Sequence, residues 1–357
     1  MDTKSSKLAI DVMGSDLGIR EIMLGISLVF RNQAEAPNVI LVGDEAKISD
    51  LLQECNLLGN PKISIHHASQ VITMDDKPTL TIKQKKDSSM MRALDLVKAG
   101  EAQAILSCGN TGSLMAGGTI KLRMLPSIER PALSTVIPSK DHCFVLIDVG
   151  ANPDSLPIHL VHNAIMGSHL CRVQLGIENP RVGLLTIGTE EGKGTEKTKQ
   201  AHEHLKQISG LINYVGLIEG FHLFERNVDV VVCDGFVGNI LIKTIESLFR
   251  TFKQIFKEEL MKNLWRKIGA FISIGAFRAI KEQFNPDKYG MAPLIGLQGL
   301  VIKSHGSANR DAIFNAILQI VRLMELDINE QIKADAQKAN KIIGFIKEEL
   351  PIVTTNE

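Results

Sequence analysis

The sequence predicts an α/β protein: a three-layer α/β/α sandwich around a mostly parallel sheet, with a helical hairpin protruding from it. Three observations carry the prediction. Short, continuously apolar runs recur along the chain; most of them lead into a helix-like stretch; and one late segment keeps helical spacing with no strand in it. Continuous rather than alternating hydrophobicity marks strands buried on both faces, and strand-then-helix repetition builds βαβ units.

The runs end in Gly, Asp or Ser. LAIDVMG (8–14), NVILVG (38–43), ISIHHA (63–68) and AILSCG (104–109) come first, then FVLIDVG (144–150), RVGLLTIG (181–188) and VDVVVCDG (228–235). ALSTVIPSKDHCFVLIDVG breaks the rhythm, because two strand-like runs flank the polar turn Ser139 to His142, which predicts a hairpin. VIKSHGSANRDAI (301–313) reads as a strand handing over to a helix, and helices continue over 307–350.

From Ile245 to Phe284 apolar residues recur at helical spacing. This stretch holds six of the chain's thirteen Phe and its only Trp, Trp265, and between Arg250 and Lys281 it carries eight Lys or Arg against two Glu. Gly269 and Gly275 loosen its second half, so two helices are expected rather than one rod. Its first half, through Leu260, is expected to pack on the protein or a partner subunit, and Leu264 to Phe277 to form an exposed tip. A basic face opposite Trp, Phe and Leu suits a membrane surface. With no repeat and no low-complexity linker, the 357 residues read as one large α/β unit over 1–357.

Composition narrows the function classes. With 44% hydrophobic and 22% charged residues the chain is an ordinary globular protein. Zero formal net charge leaves no global basic field for nucleic acid. Five cysteines without C-x-x-C spacing point to a reducing, cytosolic compartment with neither disulfides nor a zinc site. The N-terminal apolar run stops at Asp11, so no signal peptide is expected, and no apolar stretch reaches membrane-spanning length.

In such sheets the loops at the carboxyl ends of the strands line the ligand crevice. SCGNTGSLMAGG (107–118) sets Gly109, Asn110, Thr111 and Gly112 between a strand end and a helix start. Glycines let backbone N–H groups approach a ligand, and a helix start adds about half a positive charge, so the loop is either an anion seat or a capped turn. GTEEGKGTEKTK (188–199) fails as a Walker loop: three residues instead of four separate Gly188 from Gly192, and Gly194 stands where the hydroxyl belongs. Lys193 between two glycines is still placed to meet a phosphate or an oxyanion, if the loop is more than a solvated turn. DVGANPDSLP offers Asn152 and Asp154 as turn or capping residues, and His305 stands at a strand-to-helix handover where ligand and structural roles are both open. DGFVGN (234–239) adds Asp234, Gly235, Gly238 and Asn239 between the last buried strand and a helix. There is no G-x-G-x-x-G after the first strand, no G-x-S-x-G elbow and no H-E-x-x-H pair. Anion loops outnumber candidate nucleophiles, which fits an enzyme that positions a phosphate-like substrate without a covalent intermediate.

Seven motifs in order over residues 11–307 carry a resemblance: DVMGSD, CGNTGSLMAGG, RPALSTVIP, DVGAN, PRVGLLTIGTEEGKG, VDVVVCDGFVGNILIKTIE and YGMAPLIGLQGLVIKSHGS. Together they resemble the bacterial acyl-acyl carrier protein:phosphate acyltransferases, the PlsX family. The resemblance implies a sandwich akin to phosphate acetyltransferase and isocitrate dehydrogenase-like enzymes. It implies attack of inorganic phosphate on the thioester of a fatty acyl carrier protein, giving acyl phosphate, with no cofactor or metal. It also implies a homodimer in the cytoplasm, peripherally bound to the inner face of the membrane, whose product feeds a downstream glycerol-phosphate acyltransferase. In this reading Lys193, Asn239 and Asp234 carry catalysis, and Gly109, Asn110, Thr111, Gly112, Asn152, Gly235, Gly238 and His305 bind phosphate or substrate. The chain departs from the family at Val12 and Ser15, lacks a proline in LGIREI, and has Met291 where the family has a glycine, a change expected to narrow the acyl channel. Two rival readings are a decarboxylating dehydrogenase, which needs an aspartate cluster and an arginine clamp that are not found, and a membrane-docking scaffold, which leaves the polar loops unexplained.

Overall fold

The computed structural model describes residues 7–32, 36–190, 192–284 and 291–345. Eleven strands form one sheet: β1 (Lys7–Asp11), β2 (Asn38–Gly43), β3 (Ile63–His67), β4 (Ala104–Ser107), β5 (Ala132–Pro138), β6 (Cys143–Ile147), β7 (Arg181–Thr186), β8 (Asn213–Glu219), β9 (Val230–Val232), β10 (Ala292–Ile295) and β11 (Leu300–Lys303). Their order across the sheet is β3-β2-β1-β4-β11-β10-β5-β6-β9-β7-β8. The expected hairpin is β5–β6, paired antiparallel from Ser134↔Ile147 to Pro138↔Cys143. β8 escaped the apolar-run reading because it is an edge strand, mostly half-buried, and so lacks the continuous hydrophobicity of a central one.

Three antiparallel pairings, β11–β10, β10–β5 and β5–β6, sit in the middle of an otherwise parallel sheet. They have a consequence for function. An odd number of reversals makes β1, β2, β3, β4 and β11 run one way and β6, β7, β8 and β9 the other. The carboxyl ends of the two parallel groups therefore leave the sheet at opposite edges. One continuous crevice fed by every strand end, as the sequence suggested, is replaced by two loop clusters.

Helices cover both faces. They are α1 (Ile19–Asn32), α2 (Glu45–Glu54), α3 (Pro78–Gln84), α4 (Ser89–Lys98), α5 (Thr111–Leu122), α6 (Pro157–Leu175), α7 (Glu196–Gln207), α8 (Gly235–Leu260), α9 (Leu264–Ile272), α10 (Ile274–Gln283), α11 (Arg310–Glu325) and α12 (Ile328–Ile342). Strand alternation divides the core: Leu8, Ile10, Val145, Ile147, Val230 and Val232 pack with α1, α6, α11 and α12, whereas Ala9, Phe144, Leu146 and Val231 pack with α4 and α5. α6 is buried without a break from Ile158 to Cys171, and it carries polar groups that reach α12: His162 Nε2 meets Asn340 Oδ1 at 2.9 Å and His169 Nε2 meets Asp335 Oδ2 at 3.0 Å.

At the edge remote from their carboxyl ends, β7 and β9 are tied by Arg181 and Asp229. Arg181 Nε and Nη2 donate to the two carboxylate oxygens at 2.9 Å each, and the Arg181 backbone N–H adds a bond of 2.8 Å. Burial pushes the Asp229 carboxyl up, but these bonds outweigh it and hold the pKa below the usual value. A depressed carboxyl stabilises the fold above its unfolded pKa and loses that contribution as pH falls through the folded one. Asp229→Asn is therefore expected to cost about 2 kcal/mol at pH 7, discounted for the part-exposed arginine. Urea titrations at pH 7 and in the acid range check this: the gap from wild type should shrink on acidification.

The amphipathic segment starts earlier than expected, because α8 begins at Gly235 and runs unbroken to Leu260, about 39 Å. Leu241 and Ile242 still touch the core, but Leu248, Phe249, Phe252, Ile255 and Phe256 are exposed. The expectation that this half packs on its own subunit fails. Two short helices follow instead of one, since Ser273 ends α9 and begins α10. The chain then returns, with the Phe284 and Phe249 rings 5.1 Å apart and Gln283 Nε2 donating to Ser139 O at 3.3 Å. The result is a protruding helical hairpin. α11 and α12 fall within the expected C-terminal helices, while Tyr289 and Gly290 lie outside the described residues.

Candidate active site

β6, β9 and β7 are neighbours and parallel, so the segments that follow them, the loop 148–156, Cys233 and Asp234 leading into α8, and the described residues of the turn after Thr186, emerge side by side at one edge. The loop after β6 is built on Asp148. Its Oδ1 accepts from the backbone N–H groups of Gly150 (3.0 Å), Ala151 (2.8 Å) and Leu133 (3.2 Å). Its Oδ2 accepts from Asn152 N at 2.7 Å and Asn152 Nδ2 at 2.9 Å. Burial pushes the Asp148 carboxyl up, and those donors offset part of the rise. Asp148 is an organising residue that sequence reasoning passed over. The signal was its place at the end of a buried strand, two residues before the Gly150-Ala151-Asn152 turn.

The start of α8 docks on this loop. Gly235 N donates to Asn152 O at 2.9 Å, and a Cβ on Gly235 would stand 2.9 Å from the Asn152 backbone. A Cβ on Gly238 would overlap the Asp148 carbonyl oxygen. The two glycines of DGFVGN are thus spent on close helix-to-loop packing, the role that the sequence reading gave to substrate approach. Asp234, expected in catalysis, is the helix N-cap, its Oδ1 accepting from Val237 N at 2.8 Å. Asn152 is also committed: its Nδ2 donates to Pro131 O at 2.6 Å as well as to Asp148. Asn239 differs from all of these. It is exposed, lies over Gly150, and projects from the start of the second turn of a long helix, near the N-terminus whose dipole favours negative charge.

Lys193 belongs to the same edge. Gly192 and Gly194 flank it with φ of +89° and +92°, a turn that only glycine adopts freely. Its stem lies over Gly188 and its Nζ pairs with Glu190 Oε1 at 3.1 Å, an exposed contact within one turn. Lys197 ties the start of α7 to Asp154 in the β6 loop. The buried Thr186 Oγ1 at the end of β7 has no hydrogen-bond partner among the described residues and sits beneath Gly194, a polar group that the motif reading missed.

The remaining candidates lie at the opposite edge, after β4 and β11, with β4 offset from β9 by five strand spacings, about 24 Å across the sheet. Asn110 caps α5 by accepting from Ser113 N at 2.9 Å, and its Nδ2 points at main-chain carbonyls, including Met74 O at 2.8 Å and Asp76 O at 3.1 Å. A side chain reading carbonyls is a strap, so the Asn110 side chain is taken up by capping and strapping, and the anion seat expected of this loop falls to its backbone N–H groups. Thr111 opens the helix behind it. Gly109 N donates to Ser107 Oγ at 3.1 Å, and a Cβ on Gly112 would stand 2.7 Å from Pro78 of α3. His305 closes its own turn, its Nδ1 accepting from Ser307 N at 3.2 Å. Beneath lie the buried Asp11, which accepts from Ser107 Oγ at 2.6 Å and is pushed up by burial, and the buried Lys303, which is lowered by burial and donates to Cys108 O at 3.0 Å. Met291 is buried in the core beside this edge, since its neighbour Ala292 pairs with Lys303, so it does not border Asn239.

Comparison with known proteins gives the same frame. The family model described as "Fatty acid synthesis protein" matches residues 6–331. The phosphate acyltransferase of Alcanivorax borkumensis is 40% identical over 317 residues, covering 88% of this chain and 93% of the relative. That of Syntrophotalea carbinolica is 39% identical over 333 residues, covering 93% and 94%. Among solved structures, a phosphotransacetylase from Streptococcus pyogenes superposes with a TM-score of 0.60 at 16% identity, covering 90% of this chain and 95% of the other, a likeness of fold. A family model over most of the chain and sequence identity of this extent have one reading: the chain belongs to the fatty acid synthesis protein family of bacterial phosphate acyltransferases, and it is an acyltransferase.

Proposed function

We propose that the chain transfers a fatty acyl group from the thioester of acyl carrier protein to inorganic phosphate. The observation that carries this reading is the convergence of Lys193, Asn239 and the α8 N-terminus on adjacent strand ends. A phosphate oxygen attacks the thioester carbonyl carbon, and the carbonyl electrons move onto oxygen. They return as the C–S bond breaks, giving acyl phosphate and a carrier thiolate that takes up a proton. Lys193 exchanges its exposed carboxylate partner for phosphate or the oxyanion, and Asn239 donates its carboxamide N–H to the oxyanion. Phosphate is a competent nucleophile near neutral pH, so positioning outweighs base catalysis. Buried thiols take no part: burial pushes Cys108 and Cys171 up to about 12 and Cys233 well above its usual value. The experiment is purified protein with palmitoyl-carrier protein and phosphate, with carrier thiol and acyl phosphate both measured. Thiol release that does not depend on phosphate would refute the reaction.

The hairpin supports two further parts of this proposal, a cytoplasmic homodimer and peripheral attachment to the inner face of the membrane. No helix among the described residues is long and apolar enough to cross a membrane. The exposed stripe of α8 fits a second subunit, while the tip presents Leu264 at 71%, Trp265 at 83%, Phe271 at 76% and Ile272 at 78% exposure on basic helices. Trp265→Ala/Phe271→Glu is expected to abolish flotation with anionic vesicles while activity on soluble acyl carrier protein persists. Unchanged flotation would assign the tip to the subunit contact. A glycerol-phosphate acyltransferase consuming the acyl phosphate at that surface completes the scheme.

A further inference from the structure

We propose that the exposed apolar side chains at the carboxyl ends of β7, β8 and β9 seat the acyl chain of the substrate and set its length preference, an assignment that rests on the acyl transfer proposed above. Ile187 is 80% exposed, Phe221 83%, Phe236 60% and Val237 40%. A single exposed apolar residue needs no explanation, but a contiguous group around a polar centre does.

Strand order places these residues at neighbouring exits of the sheet. Thr186 pairs with Glu219 on β8, and Leu184 pairs with Val232 on β9. β7 lies between β8 and β9, so the turn after it, which begins with Ile187, is flanked by the short helical turn 220–222 that carries Phe221 and by the start of α8 that carries Phe236. The two phenylalanines thus follow the strands on either side of the one that leads into the Lys193 loop, and those two strands are two spacings, roughly 10 Å, apart. Thr189 N donates to Glu219 Oε1 at 3.3 Å, which holds the β7 and β8 exits side by side. On α8, Phe236 stands three residues before Asn239 and four before the half-exposed Ile240, on the same face of the helix.

The occupant follows from position. An acyl carbonyl placed between Lys193 and Asn239 must send its chain out from that edge, and the apolar surface bordering the two residues is this rim. Long chains gain contact with Phe221, Phe236 and Ile187 that short chains cannot reach.

The test compares hexanoyl- and palmitoyl-carrier protein in wild type, Phe221→Ser and Phe236→Ser. The ratio of kcat/KM for palmitoyl over hexanoyl is expected to fall about tenfold in each variant, the loss of roughly two buried methylenes. Leu at either position should restore most of it, and Ile187→Ser should act in the same direction. An unchanged ratio, or an equal fall on both thioesters, overturns the assignment. A smaller sedimenting species with an unchanged ratio also overturns it and gives the rim to a subunit contact. If wild type transfers neither chain while phosphate binds normally, the underlying reaction is wrong, and that outcome is distinct from a lost length preference.

Discussion

Lys193→Ala is expected to lower acyl transfer to phosphate by two orders of magnitude or more, and Asn239→Ala by a similar factor, because each would remove a donor that stabilises charge developing in the transition state. Both side chains are exposed, Lys193 on a turn and Asn239 near the start of α8, and take no part in the core, so the urea midpoint should stay near that of wild type. The kinetic form of the loss separates their roles. If Lys193 mainly holds ground-state phosphate, KM for phosphate rises with little change in kcat; if it meets the oxyanion, kcat falls. Asn239 has no phosphate charge to neutralise, so its loss should appear in kcat. Asp234→Asn is the contrasting variant: an asparagine still caps α8, so near-normal activity is expected, and a hundredfold loss would return Asp234 to the chemistry. Turnover near normal in Lys193→Ala would remove this edge of the sheet from consideration as the active site.

The second large effect is structural. Gly238→Ala is expected to destabilise the fold by about 3 kcal/mol, at the upper end of the cost of overpacking. The added methyl group overlaps the Asp148 carbonyl oxygen, and that oxygen cannot swing away because the adjacent carboxylate is held by five donors. Relief must come from moving α8, which displaces Asn239, so activity should fall with stability. Gly269→Ala is the control: nothing lies within 4 Å of its added Cβ in α9, and alanine should stabilise a helix interior by up to about 1 kcal/mol. Equal midpoints for the two variants would mean that the α8 start does not dock on the Asp148 loop as described.

Much of this protein was legible in its residues. Continuous apolar runs determined most of the strands, Ser139 to His142 the hairpin turn, and the Phe-rich period after Ile245 the protruding helices, because burial on two faces and a 3.6-residue stripe leave direct marks in sequence. Seven ordered motifs determined the family. Tertiary structure decided what the polar motif residues do. Asp234, Asn110, Asn152, Gly235 and Gly238 carry the residue types of an anion site, yet cap, strap and docking roles call for those same types, and only the partner atom distinguishes the two uses. It also decided which loops share an edge. Strand direction depends on the parity of antiparallel pairings, and β10, which comes late in the chain, inserts between β11 and β5 to make three of them. That is a long-range pairing with no local signature, and it separates His305 and Gly109 from Lys193 and Asn239.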